Sequence, residues 1–225
     1  MDPSIRRTLI VLVLLVALIF GVVVGRQLIA PETAEPEPAP LLTHLNTYVY
    51  EEPRPLADFE LKNEEGEAAT PEDLQGRWTF AFLGYTNCPD VCPATMAMLR
   101  RTDKLIPDVL PQPDYLLISA DPERDTPEKM KEYLNFFGDD FHGLTGDVKE
   151  VRALAKSLNA VFVERVLEDG MVMVDHSAHL ALLDPRGRMI AVLQPPHEPE
   201  SIAEAFERIY QWAKSREMTA PQTGG

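Results

Sequence analysis

Trp78-Thr79-Phe80-Ala81-Phe82-Leu83-Gly84-Tyr85-Thr86-Asn87-Cys88-Pro89-Asp90-Val91-Cys92-Pro93 is the stretch from which the fold is read. Its first half is a near-continuous apolar run, the pattern of a central strand buried on both faces. Its second half holds the only two cysteines of the 225-residue chain. Pro93 suits a first helical turn, so a helix is expected from there to about Ile106, with Met96, Ala97 and Leu99 inward and Pro107 and Pro111 ending it. Thiols placed where a strand gives way to a helix sit in the positive potential of the helix N-terminus. That potential favours the thiolate, the form that attacks disulfides and binds soft metals.

Downstream, Tyr115 to Ala120 reads as a second buried strand. Asp125 or Thr126 caps a helix that Pro127 opens, with Tyr133, Phe136 and Phe137 on its apolar side. Asp147 caps another, with Val151, Leu154, Ala155 and Leu158 at helical spacing. Val161 to Val163 is a short strand, and Met171 to Val174 and His179 to Leu183 are strands around a break at His176. A turn at Asp184-Pro185-Arg186-Gly187 leads back through Met189 to Leu193. A last helix, about Pro199 to Lys214, turns Ile202, Ala205, Phe206, Ile209 and Trp212 to one side. Strands alternating with helices, closed by a hairpin and a helix, predict an α/β, thioredoxin-like sandwich. Residues 41–76 are expected to add an N-terminal hairpin.

Towards the N-terminus, Leu9 to Gly25 is a run of 17 residues without charge, preceded by Arg6 and Arg7. It predicts one transmembrane helix, left uncleaved because no small-x-small site follows and Pro31 comes directly after Ala30. The flanking arginines point the rest of the chain outward. The expected layout is a cytoplasmic N-terminus at 1–8, a single-pass anchor at 9–25, a Pro/Glu-rich linker at 26–46, a domain at 47–217 and a disordered tail at 218–225. The expected location is a bacterial cytoplasmic membrane with the domain in the periplasm. A net charge of −15 argues against nucleic acid and anionic lipid surfaces as partners.

Cysteines four residues apart on a helix have Cα atoms about 6 Å apart, within the roughly 4.4–6.8 Å that a disulfide spans. The pair can join or point at one ion. A structural staple is one reading in an oxidising compartment, but so small a loop removes little unfolded-state entropy, which favours redox or metal chemistry. A third ligand would decide. His44, His142 (beside Gly143, read as a turn) and His197 read as surface residues, while His176 shares a strand face with Val172 and Val174 and His179 points to the other.

Three motifs in order, Thr86 to Pro93, Ser119-Ala120-Asp121-Pro122-Glu123-Arg124-Asp125-Thr126-Pro127, and Asp175-His176-Ser177, behind one membrane anchor, resemble the Sco/SenC family. The resemblance covers about residues 48–215. It implies a thioredoxin-fold copper protein that helps build the dinuclear CuA site of cytochrome c oxidase. It makes Cys88, Cys92 and His176 the copper ligands. The donor chemistry agrees, since two thiolates suit Cu(I) and one imidazole allows Cu(II) as well. Asp90 and Asp175 would support the ligands, with turn or helix capping as the plain alternative. Asp121 and Asp125 read as capping residues. Met96, Met98, Met171 and Met173 read as packing, with a copper relay as the sharper alternative. Implied partners are the CuA-bearing subunit, an upstream copper donor, a thiol reductant and the membrane. The segment Glu164 to Gly170 is shorter than the family's usual loop. A periplasmic thiol–disulfide oxidoreductase, in which Cys88 and Cys92 form the redox pair and His176 is dispensable, is the alternative, with a copper or redox sensor as the non-catalytic one.

Overall fold

The computed structural model describes residues 3–29, 37–167 and 172–218, and the chain divides into two units, residues 1–36 and 37–225. In the first, helix α1 runs Pro3–Ile29. Its stretch Pro3–Val22 is long and apolar enough to cross a membrane, since 20 residues at 1.5 Å each reach about 30 Å. The helix starts before the charge-free run and includes most of the residues assigned above to the N-terminal 1–8.

The second unit contains β1 (Thr47–Pro55), β2 (Leu61–Asn63), β3 (Ala68–Ala69), β4 (Thr79–Gly84), α2 (Val91–Asp103), β5 (Asp114–Ser119), α3 (Pro127–Leu134) and β6 (Phe141–Thr145). There follow α4 (Val148–Ser157), β7 (Phe162–Val166), β8 (Val172–His176), β9 (Leu180–Leu183), β10 (Arg188–Leu193) and α5 (Pro199–Ser215). Eight strands form one sheet in the order β1-β10-β9-β4-β5-β6-β2-β3, and β7 and β8 form a separate two-stranded ribbon. β4 and β5 run parallel at its centre, as do β5 and β6, while β9 pairs antiparallel with β4.

The alternation of side chains along a strand builds both cores. Phe80, Phe82, Tyr115 and Leu117 face one side, packing with Met96, Leu99, Met130, Phe206, Ile209 and Trp212. Ala81, Leu83, Leu116 and Ile118 face the other, with Val151, Leu154, Phe162, Val174 and Cys92. A sheet covered on both faces and containing parallel strands is the thioredoxin-like sandwich expected.

Several local expectations change. β6 replaces the turn read at His142 and Gly143. Gly143 is required by close packing, because a Cβ there would sit 2.5 Å from Met130 Cε and 2.9 Å from Leu134 Cδ1. Met130 and Leu134 are the buried residues of α3, which ends before Phe136, itself 73% exposed. Residues 41–76 do supply the β2–β3 hairpin, but β1 crosses to the opposite edge and pairs with β10. The folded unit starts earlier than residue 47. Glu37 accepts a hydrogen bond at its carbonyl from Trp212 Nε1 at 2.8 Å, and Leu42 is buried. At the other end Met218 is buried in the core. Residues 30–36 and 219–225, parts of the expected linker and tail, lie outside the described residues.

Candidate metal centre

The thiols stand where β4 ends. The chain leaves the sheet after Gly84, turns so that Cys88 N–H donates to the Tyr85 carbonyl at 3.2 Å, and enters α2 at Val91. Cys88 lies half-buried in that turn, and Cys92, on the first turn of α2, is 2% exposed. Both are free thiols. The Cys92 N–H, one of the donors a helix start leaves unpaired, points at Cys88 Sγ at 3.4 Å.

His176 ends β8 and reaches the same place from 84 residues away, with Nε2 3.7 Å from Cys92 Sγ. Its Nδ1 lies 3.0 Å from the Ser177 carbonyl oxygen. A carbonyl only accepts, so Nδ1 carries a proton; in the neutral ring Nε2 then presents its lone pair towards Cys92. The Tyr85 ring stands edge-on to the imidazole, with centroids 6.1 Å apart at 89°.

The two sulfurs are electrostatically unequal. Burial opposes ionisation of Cys88, but hydrogen bonds from the Cys92 thiol, the N–H groups of Cys92 and Asp90, and the Tyr85 hydroxyl outweigh it and hold Cys88 below its ordinary pKa. Burial pushes Cys92 far up, and its hydrogen bond to Cys88 pushes the same way. Among the described residues no three His, Cys, Asp or Glu side chains are already closed round one metal-sized point. The Cys92–His176 half is formed, and Cys88 is held next to it by its bond to the Cys92 N–H.

The profile described as SCO1/SenC fits residues 50–211. The chain belongs to the SCO1/SenC family. A copper-binding protein of Stutzerimonas stutzeri is 34% identical over 170 residues, 75% of this chain and 83% of its own. Among solved Sco structures, Arabidopsis thaliana ScoI with copper bound aligns with a TM-score of 0.66 at 30% identity, over 69% of this chain and 98% of that one. Bradyrhizobium japonicum ScoI with copper bound gives 0.61 at 33% identity, over 69% and 99%.

The other residues singled out in the sequence fare unequally. Asp175 lies on the ribbon face opposite His176 and pairs with Arg165 at 3.0 Å, in solvent. It is thereby a surface ion-pair partner, the alternation of β8 having turned it away from the thiols. Asp90 is exposed and is the residue before α2, yet its side chain makes no capping bond. Its contribution to Cys88 is its backbone N–H. Met96 is buried in the core facing away from the ribbon. Met98 accepts a contact from Thr102 Oγ1 at 3.6 Å. Met173 shares the Asp175 face, and Met171 lies outside the described residues, as do residues 168–170 of the short loop.

Of the two capping candidates, Asp125 and Thr126, it is Thr126 that caps α3, by accepting from Lys129 N–H. Asp125, fully buried, instead accepts from Thr86 Oγ1 at 2.5 Å, Thr86 N–H at 3.2 Å and Ser119 Oγ at 2.7 Å. It thus pins the chain two residues before Cys88. Tyr85 is the other site residue that sequence reasoning passed over. Its signal was its position, at the end of an apolar run and three residues before a thiol.

Proposed function

We propose that this chain binds copper through Cys88, Cys92 and His176 and delivers it to the CuA-bearing subunit of cytochrome c oxidase during assembly. The observation that carries the reading is the 3.7 Å approach of His176 Nε2 to Cys92 Sγ with the Nδ1 proton already committed to Ser177. An imidazole so fixed presents its lone pair beside two reduced thiols. Thiolates hold Cu(I), and an added imidazole extends the set to Cu(II). Copper entering the site displaces the Cys92 proton, which burial alone would retain. Release proceeds by thiolate exchange with the target, so the ion need not be set free. SCO1/SenC membership supports the copper chemistry and the oxidase as destination. The apolar α1 supports a single-pass anchor in a bacterial cytoplasmic membrane, with the second unit in the periplasm, where it meets a copper donor and a thiol reductant.

The test is titration of the reduced unit from Glu37 with Cu(I) and Cu(II), beside His176→Ala and Cys88→Ser/Cys92→Ser. One tight site, lost without the cysteines and weakened for Cu(II) without His176, supports delivery. Failure of the wild type to bind stoichiometric copper refutes it.

The inequality of the thiols favours a second reading, reduction of the target's cysteines. Cys88 thiolate would attack a target disulfide, forming a mixed disulfide and releasing one target thiolate. Cys92, losing its proton, would then attack Cys88 sulfur and release the second target thiol, leaving Cys88–Cys92 oxidised for an external dithiol to reduce. This activity needs both cysteines and survives His176→Ala.

A further inference from the structure

The ribbon that carries His176 is not part of the main sheet, so something else must set where the imidazole sits. Among the described residues β7 and β8 pair only with each other, over Phe162 to Val166 and Val172 to His176. Isolated two-stranded ribbons are marginal in water. Phe162 and Val174 are buried in the core below, but Val163, Arg165 and Asp175 are exposed on the outer face. Two arginines hold the ribbon, one on each strand. Arg152 of α4 donates from Nη1 to the Phe162 carbonyl at 3.0 Å and lies over the Phe162 ring at 4.3 Å. Arg124 donates from Nη2 to the Val172 carbonyl at 3.1 Å.

The second tether leads to the cysteines. Arg124 Nε is ion-paired with Asp121, whose side chain is 3% exposed. Asp121 N–H donates to Ser119 Oγ at 3.0 Å, and Ser119 Oγ donates to Asp125 at 2.7 Å. Asp125 in turn holds both the N–H and the hydroxyl of Thr86. A continuous run of hydrogen bonds therefore joins the start of β8 to the turn that presents Cys88. Each buried carboxylate in it is satisfied, and the guanidinium fork is what spans the gap, one edge on Asp121 and one arm on the ribbon.

We propose that Arg124 is a positioning residue for the His176 donor, fixing the β8 strand relative to the cysteine turn through Asp121, Ser119, Asp125 and Thr86. The proposal rests on the copper reading only for what His176 does, since the placement itself is a property of the metal-free protein. Arg124 touches no thiol and would not hold the ion. Lysine cannot replace it, because one ammonium on a flexible stem keeps a cation beside Asp121 but lacks the second arm in fixed geometry.

The variant to test is Arg124→Lys in the detergent-solubilised full chain. It leaves Asp121 paired, whereas Arg124→Ala would strand a buried carboxylate. A thermal melt close to wild type checks that the fold stands. In the metal-free protein, the His176 ring protons report their edge-on packing against Tyr85 as a ring-current shift in the NMR spectrum. Arg124→Lys is expected to collapse that shift and to speed amide exchange over residues 172–176 while β4 and β5 stay protected. Cu(II) affinity should fall about 10-fold, the lower end for removing an orienting partner of a ligand, with Cu(I), held by the thiolates, little changed. Unchanged His176 shifts and ribbon exchange in a folded Arg124→Lys protein overturn the proposal whatever copper does. Altered shifts with Cu(II) binding unchanged also overturn it as a positioning role. If the wild type binds no copper while Arg124→Lys still displaces His176, the placement stands and the copper reading falls.

Discussion

Gly84→Ala tests whether the close packing behind the thiols is what places Cys92. Gly84 is the last residue of β4, and its backbone is ordinary for a strand, so alanine is conformationally acceptable there. The glycine is needed for space. A Cβ would stand 2.7 Å from Leu117 Cδ1 and 3.2 Å from Cys92 Sγ. Leu117 is fully buried at the centre of the sheet, so its methyl cannot swing into solvent. Forcing a methyl into a close-packed core costs about 1–3 kcal/mol. The reduced freedom of the unfolded chain returns about 0.4–1 kcal/mol. The net loss is therefore about 0–2.6 kcal/mol, centred on about 1.3 kcal/mol, and at about 2 kcal/mol per molar urea the midpoint should fall by roughly 0.6 M with an unchanged slope. Cys92 Sγ must also yield by a few tenths of an ångström, so the thiolate–Cu(II) absorption of the loaded protein should shift. Gly143→Ala is the control. Its Cβ would meet Met130 and Leu134 of α3, on the same face of the sheet as Leu117 but with neither thiol among its nearest neighbours, so it should destabilise to a similar degree and leave the absorption alone. A Gly84→Ala protein as stable as wild type, or two variants that perturb the copper spectrum equally, would refute the reasoning.

Two further outcomes follow from the charges. Brief iodoacetamide treatment of the reduced protein at pH 7, mapped by mass spectrometry, should label Cys88 well before Cys92, because hydrogen bonds favour the Cys88 thiolate and burial disfavours that of Cys92. Equal labelling, or the reverse order, contradicts this. Away from the thiols, Glu64 bonds His142 Nδ1 at 2.9 Å and the Gly143 N–H at 2.9 Å, tying the loop after β2 to β6. The Glu64 hydrogen bond raises His142 above 6.5, so its stabilisation is complete below pH 6.5 and fades as pH rises through the folded value. Burial opposes the Glu64 carboxylate, but the bonds from His142 and Gly143 hold it below 4.5, so its share is complete above pH 4.5 and fades as pH falls through its folded value. Urea midpoints should accordingly lose a component as pH rises above 6.5 that His142→Gln abolishes; identical pH profiles for the two proteins would remove this pair from the account.

The central strands and the helices were legible because each is governed by neighbours in sequence. Thr79–Gly84 is apolar on both faces, and Asp147 caps α4 by accepting from Lys149 and Glu150 N–H, as its type and place suggest. β6 was hidden because Gly143 and His142 look like turn residues, and the reason for the glycine, two side chains of α3, lies elsewhere in the fold. The reach of the folded unit back to Glu37 was hidden by composition. Pro38 and Pro40 read as spacer, yet the segment is held by the Trp212 indole, 175 residues away. In the site, the thiols announced themselves by position, but His176 entered through family resemblance. Nothing in periodicity links it to Cys92 across 84 residues. Asp125 and Thr126 both satisfy the local rule for a cap before Pro127, and the tertiary structure decides between them: Thr126 caps α3, and the Asp125 carboxylate faces Thr86.

The three proposed donors stand on parts of unequal rigidity, and that inequality bears on whether copper is cargo or a fixture. Cys92 is set in the core, between β4 and the ribbon, and moves only if α2 moves. Cys88 is in a turn, half-buried, anchored by N–H groups to its sulfur. His176 belongs to a ribbon with one exposed face, two buried apolar anchors and an arginine on each strand. Displacing such an element costs a fraction of global unfolding, because local openings draw only on the contacts they break. A resident metal centre gains from three donors on equally rigid elements. A site that must surrender its ion gains from one donor that can withdraw while the sheet stays intact. The separation of the ribbon from the main sheet thus fits the delivery reading better than permanent storage, and it makes the ribbon's tethers the place where retention and release would be balanced.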